Sequence, residues 1–152
     1  MTVLIWTSAI ALTVQLLSIL AVLVRKTRNA TKTQARVRPP VTILRPLCGV
    51  ENNLEDTVGS AFVLDWPNYE IIFCIASPND PAVEIARRAM KAHPGIPARL
   101  LIGEDVFSPN PKMNNLIKGW RSAQHDWIVI ADSNVLMPAD YLDRLFAPWS
   151  AD

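Results

Sequence analysis

Three groups of residues have the types and spacing to do chemistry. Asp132 closes the apolar run Trp127-Ile128-Val129-Ile130-Ala131 and is followed by Ser133 and Asn134. A carboxylate at the tip of such a run can hold a divalent cation, Mg²⁺ or Mn²⁺, and the cation can hold a diphosphate. Asn134 could add a neutral amide oxygen to the same ion. Asp-Ser-Asn is equally a good turn, so residue type leaves both readings open. Asp80 stands before Pro81 at the start of a helical pattern. Asp-Pro there reads as a helix cap, which competes with any contact to a ligand. Lys112, with Asn114 and Asn115, opens another helical pattern. An ammonium beside the unpaired N–H groups of a helix start favours phosphate; a solvated lysine is the plain alternative.

Other reactive side chains carry weaker signals. His93 and His125 have no metal-ligand spacing to any partner and read as surface loop residues. Cys74 lies inside a β-rich run and reads as core, whereas Cys48 lies in a loop. Two cysteines do not make a disulfide framework. Neither a P-loop nor a G-x-G-x-x-G pattern is present, which argues against a P-loop NTPase or a dinucleotide enzyme.

The elements that must position these residues alternate along the chain. Apolar β-rich runs occupy 41–45, 69–76, 98–103 and 126–132. Helical patterns occupy 52–64, 81–92, 112–123 and 138–146, with Asn52 or Asn53 placed to cap the first. Strands alternating with helices predict an α/β fold with a mainly parallel sheet covered on both faces. Ligands of such sheets bind beyond the carboxyl ends of the strands. That rule nominates 46–51, 77–80, 103–112 and 132–134.

The charge distribution divides the 152 residues into three. Residues 1–24 carry no charge and are long enough, as a helix, to cross about 30 Å of hydrocarbon. This predicts a transmembrane anchor rather than a cleaved signal peptide, whose basic residues would come first. A basic linker, 25–40, follows with Arg25, Lys26, Arg28, Lys32, Arg36 and Arg38 and no acid. Basic residues after the span predict a body on the cytoplasmic face, and the linker reads as solvated or in touch with anionic lipid. The remaining nine of fifteen bases face all fourteen acids, so the body, 41–152, carries a net −5. An acidic body without a basic-aromatic patch argues against nucleic acid as a partner. With 50% apolar and 19% charged residues, a disordered tail, a collagen-like repeat and a coiled coil are excluded.

Taken together, ILRPLCGVE, LDWPNYEI, SPNDPA, ARLLIG, NPKMNNL and IADSN resemble the ceramide glucosyltransferase family, glycosyltransferase family 21, over nearly all residues after the linker. The resemblance implies a partial, Rossmann-like GT-A fold, the N-terminal portion of a longer domain. It implies transfer of a hexose, with inversion, from a UDP-sugar to the hydroxyl of a ceramide-like lipid at the cytosolic membrane face. It also implies site roles. Asp80 would contact the nucleotide base, and Asp132 would hold metal and diphosphate-sugar. Pro46 to Glu51 would cradle the nucleotide, with Lys112 and Asn115 along the diphosphate. The family's general base is expected beyond Asp152, so no catalytic base is assigned here. Without it, the alternative is a membrane-tethered nucleotide-sugar-binding fragment. A receiver-type signalling domain fits worse, because it would need paired acids after the first strand, where Arg45 and Pro46 stand.

Overall fold

The computed structural model describes residues 2–30, 38–103 and 105–148. The expectations for Lys32, Arg36 and the last four residues, and for the side chains of Arg25, Lys26 and Arg28, lie outside what it describes. The chain divides into two compact units, one holding the first helix and the other the α/β body.

Helix α1 spans Thr2–Ala30. Its stretch Ile5–Val24 has a mean hydropathy of 2.2 and no buried residue, and is long and apolar enough to cross a membrane. Thr13 Oγ1 donates to Ala9 O at 2.8 Å and Ser18 Oγ to Val14 O at 2.9 Å. These hydroxyls are therefore satisfied within the helix and add little polarity to its surface.

The body runs β1 Val41–Leu47, α2 Leu54–Ser60, β2 Tyr69–Ile75, α3 Ala82–Ala92, β3 Ala98–Ile102, α4 Pro111–Ser122, β4 Trp127–Ile130 and α5 Tyr141–Phe146. All strand pairs are parallel, in the order β3-β2-β1-β4. The chain steps outward from β1 to β3, then returns to the other side of β1. The order therefore reverses between β1 and β4, where doubly wound sheets open a crevice.

Period-two alternation decides which helix covers which face. Ile43, Leu47, Ile71, Phe73 and Ile75 pack with Val58 and Phe62 and with Val83 and Ala86 of α3. Leu44, Ile72 and Cys74 point the other way and pack with Leu116 of α4. Gly119 lets α4 approach the sheet closely: a Cβ there would lie 2.6 Å from Cys74 Sγ.

The strands and helices fall where the sequence places them, with four differences. β1 continues through Pro46 to Leu47. Leu44 O accepts Ala131 N at 3.0 Å, so positions 44 and 46 face the β4 side. β4 has ended by then, and the missing N–H of Pro46 removes no ladder bond. β4 is shorter than predicted and half-exposed, because it lies at the edge of the described sheet. α2 is shorter, and Asn53 makes no side-chain cap but turns the chain in the left-handed region at φ 63°. α5 begins at Tyr141, after a turn in which Tyr141 N donates to Pro138 O at 2.8 Å.

Arg38 also departs from its reading as a solvated linker residue. Its Nη2 and Nε reach the two carboxylate oxygens of Asp143 at 2.6 and 3.2 Å, and the guanidinium lies 5.5 Å from the Trp66 ring centroid. Trp66 Nε1 donates to Pro39 O at 2.8 Å. Arg38 thus fastens the entry of the body instead of extending the linker.

Candidate functional site

The carboxyl ends of β1 and β4 and the start of α4 enclose a cavity of about 400 Å³. That is the size of a small-molecule site. β1 and its following loop contribute Pro46, Leu47, Cys48 and Glu51; α4 contributes Pro111, Lys112 and Asn115; the chain after β4 contributes Asp132, Ser133 and Asn134.

Each wall is fixed locally. Asn110 caps α4, its side-chain oxygen accepting Lys112 N at 3.0 Å and Met113 N at 3.4 Å, with Pro111 in the first turn. Asn114 Oδ1 accepts Phe107 N and Ser108 N at 3.2 and 3.0 Å and so folds the loop before α4. Asn115 Nδ2 donates to Cys74 O at 2.8 Å. Its Oδ1 is buried without a partner among the described residues. On the opposite wall, Ser133 Oγ donates to Glu51 Oε2 at 3.0 Å, and Thr57 Oγ1 donates to Ser133 O at 2.6 Å.

Two of the charged residues placed at the site by sequence reasoning meet directly. Lys112 Nζ lies 2.6 Å from Asp132 Oδ1, and both side chains are about half-exposed, at 51% and 52%. Asp80 is placed differently. It does not line the cavity but grips the loop that does. Both its carboxylate oxygens accept Gly49 N, at 3.0 and 2.9 Å, and Oδ1 also accepts Ala82 N at 2.8 Å. Gly49 turns at φ +67°, a conformation that suits glycine. The expected cap of α3 is therefore made, and the same carboxylate holds the β1 loop in place.

Arg45, behind the cavity wall, is a residue whose contacts sequence reasoning missed. It is fully buried. Nη1 donates to Thr57 O at 2.5 Å, and Nη2 donates to the carbonyls of Asp132, Ser133 and Val135 at 3.0, 3.2 and 3.1 Å. Burial lowers its pKa to about 10, so it stays charged at neutral pH. The available signal was an arginine inside an otherwise apolar β-run, which needs buried acceptors.

The oxygen donors suit a hard divalent cation. Asp132 and Glu51 are the carboxylates along the cavity, with the Asn134 amide nearby. No group of three or more His, Cys, Asp or Glu able to hold a metal occurs among the described residues. These residues could hold an ion only with further ligands from outside the described residues.

A parallel sheet that reverses order beside an acid, a lysine and a helix start defines a doubly wound α/β domain with a site at its switch point, and the solved structures it resembles make its type GT-A. The chain belongs to glycosyl transferase family 21, whose model matches residues 3–152. It is 43% identical over 108 residues to a ceramide glucosyltransferase of Komagataella phaffii, covering 68% of this chain and 21% of that protein. It is 37% identical over 102 residues to ceramide glucosyltransferase 3 of Caenorhabditis elegans, covering 67% of this chain and 22% of that protein. The chain thus spans about a fifth of the length of these curated relatives. Among solved structures, it is similar to the mannosyltransferase PcManGT from Pyrobaculum calidifontis, in complex with GDP-Man and Mn²⁺. There the TM-score is 0.65 at 25% identity, over 88% of this chain and 40% of that one. Residues 1–349 of S. aureus TarS share the fold at a TM-score of 0.52 and 14% identity, over 70% of this chain and 31% of that one.

Proposed function

We propose that this chain is the membrane-anchored, donor-binding part of an inverting glycosyltransferase that moves a hexose from a UDP-sugar to the hydroxyl of a ceramide-like lipid. The observation that carries this reading is the convergence of Glu51, Lys112, Asn115 and Asp132 on one cavity at the strand-order switch. Its support is membership of family 21 and the likeness to ceramide glucosyltransferases.

In this reading the start of α4 and the Lys112 ammonium draw the diphosphate, since both favour negative charge. Asn115 stands beside Lys112 on the same wall of the cavity. Asp132, Asn134 and Glu51 would hold Mg²⁺ or Mn²⁺. When bound, that cation neutralises charge on the departing nucleoside diphosphate. Asp80 keeps the β1 loop shaped around the nucleotide. The lipid hydroxyl attacks the anomeric carbon from the side opposite the diphosphate, which inverts the centre. Its proton passes to a general base that the family resemblance places beyond Asp152.

Domain organisation follows the same logic: anchor 1–24, linker 25–40, nucleotide-sugar-binding region 41–152. The anchor would hold the site beside the bilayer that carries the acceptor, with the body on the cytoplasmic face. Calorimetric titration of UDP into the intact, detergent-extracted protein tests the reading. Saturable binding that strengthens with Mn²⁺ and is lost in Asp132→Ala is expected. Failure of UDP to bind with or without Mn²⁺ overturns it.

A further inference from the structure

We infer that Arg45 is a positioning residue: its buried guanidinium sets the turn 132–135 and thereby aims Asp132 and Asn134 into the cavity. β1 pairs with β4 only as far as Leu44 opposite Ile130. Arg45 is the next residue, so its side chain starts where the chain of β4 peels away from the sheet. There it meets a set of backbone carbonyls instead of a carboxylate. Nη2 alone takes three carbonyls of the turn, those of Asp132, Ser133 and Val135, at 3.0 to 3.2 Å. Nη1 takes Thr57 O from α2 at 2.5 Å. Thr57 in turn donates its hydroxyl to Ser133 O at 2.6 Å. The turn closes on its own backbone through Val135 N donating to Asp132 O at 3.1 Å, and three of its carbonyls converge on one cation.

A buried guanidinium without a carboxylate partner is costly to keep. A core chosen for stability alone would place an aliphatic side chain at this strand position, as at Ile43 and Leu47. What the guanidinium adds is a fixed fork of donors that draws several carbonyls inward to one point. Drawing the carbonyls of 132–135 inward fixes the backbone from which the Asp132 and Asn134 side chains leave. A Lys at 45 keeps the charge but replaces the planar fork with a single compact ammonium on a flexible stem.

The consequence for ligand binding rests on the donor-binding reading above; the consequence for the turn does not. The test compares wild type, Arg45→Lys and Arg45→Met in the intact protein. Amide hydrogen exchange is read at 133–135 and, as an internal control, at 71–75 in β2. UDP affinity in Mn²⁺ is read by calorimetry. Exchange at 133–135 is expected to quicken at least tenfold in Arg45→Met and less in Arg45→Lys, with 71–75 unchanged. The UDP Kd is expected to rise in the same order, at least tenfold for Met. Should Arg45→Met not fold, Arg45→Lys against wild type decides. Exchange at 133–135 within twofold of wild type in the folded variants overturns the inference. Quickening at 71–75 to the same extent overturns it as well, since Arg45 would then hold the fold and not the turn. If wild type binds no UDP, the donor-binding reading fails while the exchange result still decides the role of Arg45.

Discussion

Asp80 receives the backbone N–H of Gly49 on both of its carboxylate oxygens, at 3.0 and 2.9 Å. One side chain thus joins the loop after β1 to the start of α3, where it also accepts Ala82 N at 2.8 Å. Hydrogen bonds to a charged group contribute about 1.5–3 kcal/mol, and loss of a cap costs about 1 kcal/mol. Asp80→Ala is expected to destabilise the body by about 2–3 kcal/mol in urea unfolding. It should also weaken UDP binding about tenfold or more, because the Gly49 turn is no longer pinned. Asp80→Asn keeps one acceptor and should fall between the two. An Ala variant with wild-type UDP affinity would leave Asp80 as a helix cap and nothing more.

The Lys112–Asp132 pair separates stability from function. Both side chains are half-exposed, so the pair stabilises by about 1 kcal/mol at most. Asp132→Ala should therefore leave the urea midpoint nearly unchanged while, on the proposed donor-binding reading, abolishing the strengthening of UDP binding by Mn²⁺. Lys112→Met has two opposite expected effects. On the proposed donor-binding reading, UDP affinity falls because the cation that would face the diphosphate is gone. Mn²⁺ affinity without nucleotide rises, because no ammonium competes for Asp132. Parallel losses of both affinities would show that Lys112 shapes the site without competing for the carboxylate.

How much of this was legible in the sequence follows from what each feature depends on. The strands and their order of appearance were legible because buried parallel strands are continuous apolar runs, as in Ile71 to Ile75. That Pro46, Glu51, Lys112 and Asp132 lie together was legible because strand ends are fixed once strands are fixed. The helix ends were less so: Asn53 has the composition of a cap, but a left-handed φ of 63° makes it a turn. Asp80 reads as a cap from Asp-Pro alone, and its bond to Gly49 spans 31 residues that no local pattern reports. Arg45 was hidden for the same reason. Its acceptors come from α2 and from the turn after β4, far along the chain.

At the opposite end of the sheet, Glu70 makes stability depend on pH. It is 3% exposed and accepts Thr42 Oγ1 at 2.8 Å, Gln124 N at 2.7 Å and Arg99 Nη2 at 2.9 Å. Burial by itself pushes its pKa up, but bonds from Gln124 N, Thr42 and Arg99 outweigh it and hold the carboxyl below its ordinary value. A depressed folded pKa gives stability that is present above the unfolded value, about 4.3, and lost as pH falls through the folded value. Glu70→Gln should be less stable than wild type by about 1–3 kcal/mol at pH 7. The gap should narrow below about pH 4, where wild type begins to protonate. Urea midpoints of both proteins at pH 7, 4 and 3 check this; a constant gap would contradict it.

Gly119 offers a test in which the usual sign reverses. Replacing glycine inside a helix by alanine ordinarily stabilises by about 1 kcal/mol. Here the new Cβ would lie 2.6 Å from Cys74 Sγ and 3.4 Å from Leu44 Cδ2, inside a packed face. Real Cβ atoms do not approach sulfur so closely, so α4 must shift away from the sheet or the thiol must rotate into its neighbours. Overpacking of this kind costs about 1–3 kcal/mol, enough to cancel the propensity gain and exceed it. Gly119→Ala is therefore expected not to stabilise and to lower stability by up to about 2 kcal/mol net. Cys74→Ala removes the opposing sulfur and leaves a small cavity, itself costing about 1 kcal/mol. The double variant fills that cavity with the new methyl, so its loss should be smaller than the sum of the two single losses by at least about 1 kcal/mol. Because α4 also carries Lys112 and Asn115, the single Gly119→Ala variant should weaken UDP binding and the double variant should recover it. Additive losses across the cycle would mean that α4 does not bear on β2 through this contact.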